Sequence, residues 1–551
     1  MVGKPSDKKL LLGGAIASIV IGGGAYYYYR SKSSKDGDKV DLPTDTLPVA
    51  KSEEAVVSGE VEPKVDAQGM KERGNKYFKG GKFSKAIECY SKAIELCTED
   101  NITDISTYYQ NRAAANEQLK DWASVVNDCS LAIEKNPKYT KALHRRAKAY
   151  EELGEKLSCL DDATAVCLLE QFSNQNCLIL YQRILRAIGK EKATEYYPKR
   201  PPILPSASSI YNYLDSFNNN IFDVPEDEDE SIDSGYMKIL DKMKQRDFTE
   251  VVSMCGEVME SGGKHAHRAR LLRGTLLTLM NEQKSAIDDF DKIIDVEDTD
   301  GVDELSILKV DALIKRGSLK MQLEDAEGCY DDFTKAIAID EQNPNIYHNR
   351  GQLYFFTDRI EEAKSEFKKA ISLDPSYIAP RIQLGQCLFK TGMQSMAPTK
   401  IKEANDLFEE TILLFPESCH SQSIYGQLLM GQQRYEEAME KFEKAISLSP
   451  TTAESYVHKG SLLFQWKQDV EGAVTFLKKA IETDAKCDIA YETLAMLQVQ
   501  KNDLEDGIKT FERSLELVRT EEEMMQIFSL MEAAKAQLRV TREYGIQMPM
   551  M

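Results

Sequence analysis

Residues 351–375 read GQLYFFTDRIEEAKSEFKKAISLDP, and residues 426–450 read GQLLMGQQRYEEAMEKFEKAISLSP. Each stretch begins on a glycine, carries an Ala-Ile pair toward its end (Ala370-Ile371, Ala445-Ile446) and closes on a proline (Pro375, Pro450). The frame extends in both directions. Small, helix-breaking residues recur at Gly317, Gly351 and Gly385, then at Gly426 and Gly460, with a period of 34 broken by a seven-residue insertion before Gly426. Further copies of the pair stand at Ala93-Ile94, Ala132-Ile133, Ala336-Ile337 and Ala480-Ile481, with Ser514-Leu515 as a weakened last copy. Pro137 and Pro344 again follow such pairs, where a helix should stop.

A period of 34 belongs to tetratricopeptide (TPR) arrays, in which each helix pair buries its apolar stripe only by stacking on its neighbours. About eleven units fit. The expected fold is all-α: a TPR α-solenoid in two modules behind an N-terminal transmembrane helix. A front clamp module covers 67–197, a linker 198–235, a rear module 236–519, and a capping helix with its tail 520–551.

Composition agrees. A chain of 551 residues exceeds what one compact core serves, whereas a solenoid grows by addition. The net charge of −20 argues against nucleic acid as a partner and suits a solvated surface. Eleven cysteines without a CxxC pair point to reduced thiols in the cytosol, not to a disulfide framework.

After the short segment 1–9, residues 10–29, LLLGGAIASIVIGGGAYYYY, carry no charge, and twenty residues of helix span roughly 30 Å, the thickness of a bilayer core. No A-x-A-like cleavage site follows, and four tyrosines form an interfacial belt, so the run reads as a signal-anchor. Basic residues flank it almost symmetrically, and the reduced cysteines place the C-terminal body in the cytosol. Gly14, Ser18 and Gly22 either form a stripe for another membrane helix or merely lower the hydrophobicity. Residues 30–66 read as a disordered tether.

In the 198–235 linker, PKRPPILPS is proline-rich, DVPEDEDE is an acidic solvated run, and Ile210, Tyr213, Leu214 and Phe217 are apolar residues that should dock somewhere. No GxxxxGK[ST], HExxH, GxSxG or kinase-like set occurs, so neither an enzyme nor a cofactor is expected. His265 and His267 read as a solvated pair, and the Asn101 sequon as unmodified in a cytosolic body.

Five polar residues recur at matching points of the first three repeats: Lys71 and Asn75 in KERGN, Asn111, and Lys141 and Arg145 in KALHR. Pairs four apart share a helix face. Three cations around two amides suit charge-assisted hydrogen bonds to the carboxylates of a peptide C-terminus. The rear array serves as a control. Asn349-Arg350-Gly351 repeats Asn111-Arg112-Ala113, but the places of Lys71 and Asn75 fall on Ile314 and Ser318, and those of Lys141 and Arg145 on Ala379 and Gln383. The clamp belongs to the front module, and Asn349 is a repeat-consensus residue.

With KERGN, YQNRAA, KALHRR, the PSxxxIxxYLxSF linker and a long rear array behind a signal-anchor, the whole chain resembles the large receptor subunit of the mitochondrial outer-membrane translocase. The resemblance implies a single-pass protein of the mitochondrial outer membrane, facing the cytosol, that meets other translocase subunits. It implies a front clamp for the C-terminal EEVD tails of the seventy- and ninety-kilodalton heat-shock chaperones, at Lys71, Asn75, Asn111, Lys141 and Arg145. It also implies a rear module that accepts precursor proteins, especially hydrophobic carriers with internal targeting signals, although no short motif fixes the rear residues. A membrane-anchored TPR co-chaperone or scaffold of the endoplasmic reticulum is the alternative.

Overall fold

The computed structural model describes residues 66–97, 102–218, 221–222, 234–297 and 303–545. The expected anchor at 10–29, the tether, the acidic run and Asn101 lie outside the described residues. Among the described residues, no helix is long and apolar enough to cross a membrane, and every regular element is helical.

Three helix pairs come first: α1 (Ala67–Lys79) with α2 (Phe83–Leu96), α3 (Ile102–Gln118) with α4 (Trp122–Lys135), and α5 (Thr140–Leu153) with α6 (Lys156–Leu169). A longer helix, α7 (Gln175–Tyr196), and a short one, α8 (Ala207–Leu214), follow. The rear pairs are α9 (Ser234–Lys244) with α10 (Val251–Ser261), α11 (Ala266–Leu279) with α12 (Gln283–Ile294), α13 (Asp303–Gln322) with α14 (Ala326–Ile339), and α15 (Pro344–Phe356) with α16 (Ile360–Leu373). They continue as α17 (Ile378–Gln394) with α18 (Pro398–Leu414), α19 (Cys419–Gly431) with α20 (Tyr435–Leu448), α21 (Ala453–Lys467) with α22 (Val470–Thr483), and α23 (Asp488–Gln500) with α24 (Leu504–Leu515). The last helix is α25 (Glu521–Tyr544).

The periodic glycines do not break helices. Gly351 lies inside α15 and Gly385 inside α17, where a Cβ would come within 2.8 Å of the Phe367 ring and 2.4 Å of the Phe408 ring. At these two positions the residue is small because the second helix of the pair presses an aromatic ring against the backbone of the first; at Gly460 the close neighbour is the Ala473 carbonyl oxygen, 3.1 Å from where a Cβ would lie. The alanines of the Ala-Ile pairs, Ala93, Ala132, Ala336, Ala370, Ala445 and Ala480, are fully buried.

A second device joins the helices of a pair. An arginine beside the small residue reaches an acid sixteen residues on: Arg112 to Asp128, Arg146 to Asp162, Arg316 to Asp332, each through Nε and Nη2 at 2.6–3.0 Å. Bidentate charge-assisted bonds of this kind fix the rotation of the first helix about its axis.

The chain divides into two compact units. One is Arg200–Leu494; the other joins the described residues up to Lys199 with those from Ala495 onward. This division differs from the boundary at 519/520 read from the repeats, because α24 and α25 belong with the front repeats. The apolar stripe Met524, Ile527, Phe528 and Met531 of α25 is buried in a core with Phe511 and Ala193. Gly189 of α7 lets α25 approach, since a Cβ there would meet the Met525 carbonyl oxygen at 2.5 Å. Lys192 pairs with Glu532 and Arg539 with Asp161, each at 2.7 Å.

The 198–235 linker docks, in its described part, on the rear unit: Ile210, Phe217 and Phe222 are buried there. His265 departs from the solvated-pair expectation. It is buried, with its ring centroid 5.0 Å from that of Tyr236.

Candidate functional site

Helix α1 begins at Asp66, whose carboxylate accepts from the Gly69 N–H at 2.7 Å. One and two turns later it presents Lys71 and Asn75. Burial pushes the Tyr90 hydroxyl up to about 12, so it stays protonated and donates to Asn75 Oδ1 at 2.8 Å. That bond orients the amide and leaves its N–H₂ for a ligand.

In α3 the Arg112–Asp128 bond turns the arginine to α4, and the adjacent position carries Asn111, half-buried and without a hydrogen bond among the described residues. In α5 the Arg146–Asp162 bond does the same for Arg145. Arg145 Nε donates to Glu117 Oε2 at 2.6 Å and Nη1 to the Gln110 carbonyl oxygen at 3.4 Å, tying α5 to α3. Lys71 Nζ lies 6.0 Å from the centroid of the Tyr108 ring, linking α1 to α3. Lys71 and Lys141 have no ion-pair partner among the described residues.

The structure therefore places the five predicted residues on the facing first helices of three successive repeats, with two lysines and an asparagine uncommitted. Sequence reading missed Glu117, the carboxylate already on Arg145, and Tyr90, which orients Asn75. A glutamate on a TPR helix carries no signal that separates it from a solvated one.

The matching positions of the rear unit have different chemistry. Asn349 spends its amide N–H on the Asn345 carbonyl oxygen of its own helix at 2.8 Å. One residue after the small position, where the front has Asn75, stand Gln386, Gln427 and Ser461, all buried. Gln386 Oε1, Gln422 Oε1, Gln427 Oε1, Glu454 Oε2 and Ser461 Oγ lack partners among the described residues. His458 Nε2 is 2.6 Å from Gln427 Nε2. Buried polar atoms left unpaired cost free energy, and these lie on α17, α19 and α21. Among the described residues no group could hold a metal ion.

Tetratricopeptide-repeat family profiles match residues 67–99, 344–377 and 421–452. The mitochondrial import receptor subunit TOM70 of Homo sapiens is 38% identical over 498 residues, covering 88% of this chain and 81% of that protein. The same subunit of Saccharomyces cerevisiae is 25% identical over 519 residues, covering 86% of this chain and 80% of that protein. The crystal structure of yeast Tom70 aligns with a TM-score of 0.52 at 25% identity, covering 87% of this chain and 98% of that one. With repeats, array length and sequence in agreement, the chain belongs to the TOM70 family of mitochondrial import receptor subunits.

Proposed function

We propose that the front unit of this import receptor docks cytosolic heat-shock chaperones by their EEVD tails, and that the rear unit accepts the precursor the chaperone carries. The observation behind this reading is the group Lys71, Asn75, Asn111, Lys141 and Arg145, whose two free lysines and two amides, that of Asn75 oriented by Tyr90, offer donors for a terminal carboxylate and an acidic side chain. Glu117 neutralises Arg145 in the free protein, so a tail carboxylate that takes this guanidinium releases the Glu117 carboxylate, 22% exposed, toward solvent.

Residues 10–29 anchor the chain in the outer membrane with the body in the cytosol, residues 30–66 tether it, and other translocase subunits meet it there. Anchoring raises the effective concentration of both partners at the membrane. No step needs covalent chemistry. The rear unit takes precursor segments, and hydrophobic carriers are the expected cargo.

Titration of the full chain with an EEVD-ended peptide and with its C-terminally amidated copy tests the clamp. Amidation should weaken binding by about 1.5–3 kcal/mol, the range for hydrogen bonds to charged groups. Equal affinity of the two peptides would remove carboxylate recognition.

A further inference from the structure

Residues 206–218 lie on the rear unit at the same helix register that carries the clamp in the front unit. Asn111 and Arg145 stand two residues before the small position, Lys141 six before; the corresponding residues in α13 are Lys315 and Asp311, and in α15 Asn345 stands six before. These three lie under the segment. Lys315 Nζ is 3.4 Å from the centroid of the Phe217 ring and 5.1 Å from that of Tyr213. It is 2% exposed and sits 3.3 Å from the Asp311 carboxylate.

The end of the segment is held by its backbone and by the Asn218 side chain. Asn345 Oδ1 accepts from the Asn218 N–H at 2.7 Å, Asp374 Oδ2 accepts from Asn218 Nδ2 at 2.6 Å, and the Tyr377 hydroxyl donates to the Ser216 carbonyl oxygen. Ile210 and Tyr213 lie within α8, spaced as i and i+3, and Phe217 follows in the turn after the helix.

An ion pair under two aromatic rings from a linker is costly to bury and adds little as a core. It makes sense as the floor of a ligand site whose resident ligand is the chain itself. We propose that residues 206–218 are an internal occupant of the rear groove, and that the floor formed by Asp311, Lys315, Asn345, Asp374 and Tyr377 binds short amphipathic peptide helices that carry one aromatic residue in the helix and a second in the turn that follows it. Such a helix in an incoming precursor displaces the segment, so entry to this part of the groove is competitive. The proposal rests on the reading of the rear unit as the precursor site.

The probe is a labelled synthetic peptide of residues 204–218, LPSASSIYNYLDSFN, titrated into the full chain and into its Phe217→Ala variant, with folding checked by circular dichroism. With the segment docked in most molecules, the apparent affinity of wild type is reduced by the free fraction, so the variant should bind at least about tenfold more tightly. A sequence-scrambled peptide should bind neither.

A second measurement avoids substitution. In hydrogen exchange of the wild-type chain, excess peptide should strip protection from the amides of 207–217. Failure of the variant to bind the peptide, or binding that leaves 207–217 protected, overturns the inference. A purified precursor that binds wild type and Phe217→Ala equally, with 207–217 still protected, overturns it too and leaves the precursor reading standing. If the peptide enters while no precursor binds the rear unit, the site stands and the precursor reading falls.

Discussion

The front and rear units use one scaffold and one register for two kinds of chemistry. At the positions facing along the first helices, the front unit carries Lys71, Asn75, Asn111, Lys141 and Arg145, none fully buried; the rear unit carries His348, Gln386, Gln427, His458 and Ser461, all buried. The backbone devices behind these positions are shared: a small residue against an aromatic ring and an Arg–acid bond between paired helices. What differs is desolvation. Open positions hold full charges cheaply and suit a doubly anionic tail, whereas closed positions favour neutral groups or, at Lys315 and Asp311, a charge held by an opposite one.

That contrast gives the largest expected effect. Arg146→Ala leaves Asp162, 3% exposed, without its guanidinium, and should destabilise the front unit by about 3–5 kcal/mol in denaturant melts. Asp162 is pushed up to about 6 by burial even with Arg146 present, so the loss should be greatest at neutral pH and smaller in acid, where the carboxyl takes a proton. In the rear unit Arg350→Ala acts on Glu366, which is 15% exposed, and should cost about 1–3 kcal/mol. Equal losses at the two sites would break the link between burial of the acid and strength of the staple.

Acid should act chiefly on the rear unit. Burial lowers His348 to about 3 and His458 to about 4, so the fold holds both neutral. Above about pH 6.5 neither the folded nor the unfolded state binds these protons, and stability is complete. As pH falls below that value the unfolded chain takes up protons that the folded one refuses, and stability drops by about 1.4 kcal/mol per pH unit for each histidine. His348→Phe should flatten the slope between pH 6.5 and 4 in thermal melts. An unchanged slope would show that His348 is not the group being titrated.

Tyr90→Phe should have a smaller effect, weakening an EEVD-ended peptide by about 0.5–1.5 kcal/mol through loss of the bond that orients Asn75. Peptide binding in the rear unit should not change, and a change there would mean that the two sites are coupled.

Much of the scaffold was legible because packing leaves a residue-level trace every 34 positions. Gly351 and Ala370 are small for steric reasons that no surface function can override, although the glycines proved to be contact points inside helices and not breakers. The placement of Lys71, Asn75, Asn111, Lys141 and Arg145 on the first helices of three repeats was legible from their register. Glu117, Tyr90 and the row Gln386, Gln427 and Ser461 were not, since their significance lies in burial and pairing, which composition does not encode. The apolar residues of the linker signalled docking but not its place, and the contact of Lys192 with Glu532 spans 340 residues of chain. Helix α25 therefore could not be assigned to the front unit from repeat counting.

The most direct test of a clamp confined to the front unit is calorimetric titration of an EEVD-ended peptide into the wild-type chain, Arg145→Ala and Asn349→Ala. Arg145→Ala should bind about 1.5–3 kcal/mol more weakly, roughly ten- to a hundredfold, while folding as wild type does. Asn349→Ala, whose amide is spent on its own helix, should bind as tightly as wild type. If Arg145→Ala retained full affinity and Asn349→Ala lost it, the clamp would lie in the other unit and the account would be contradicted.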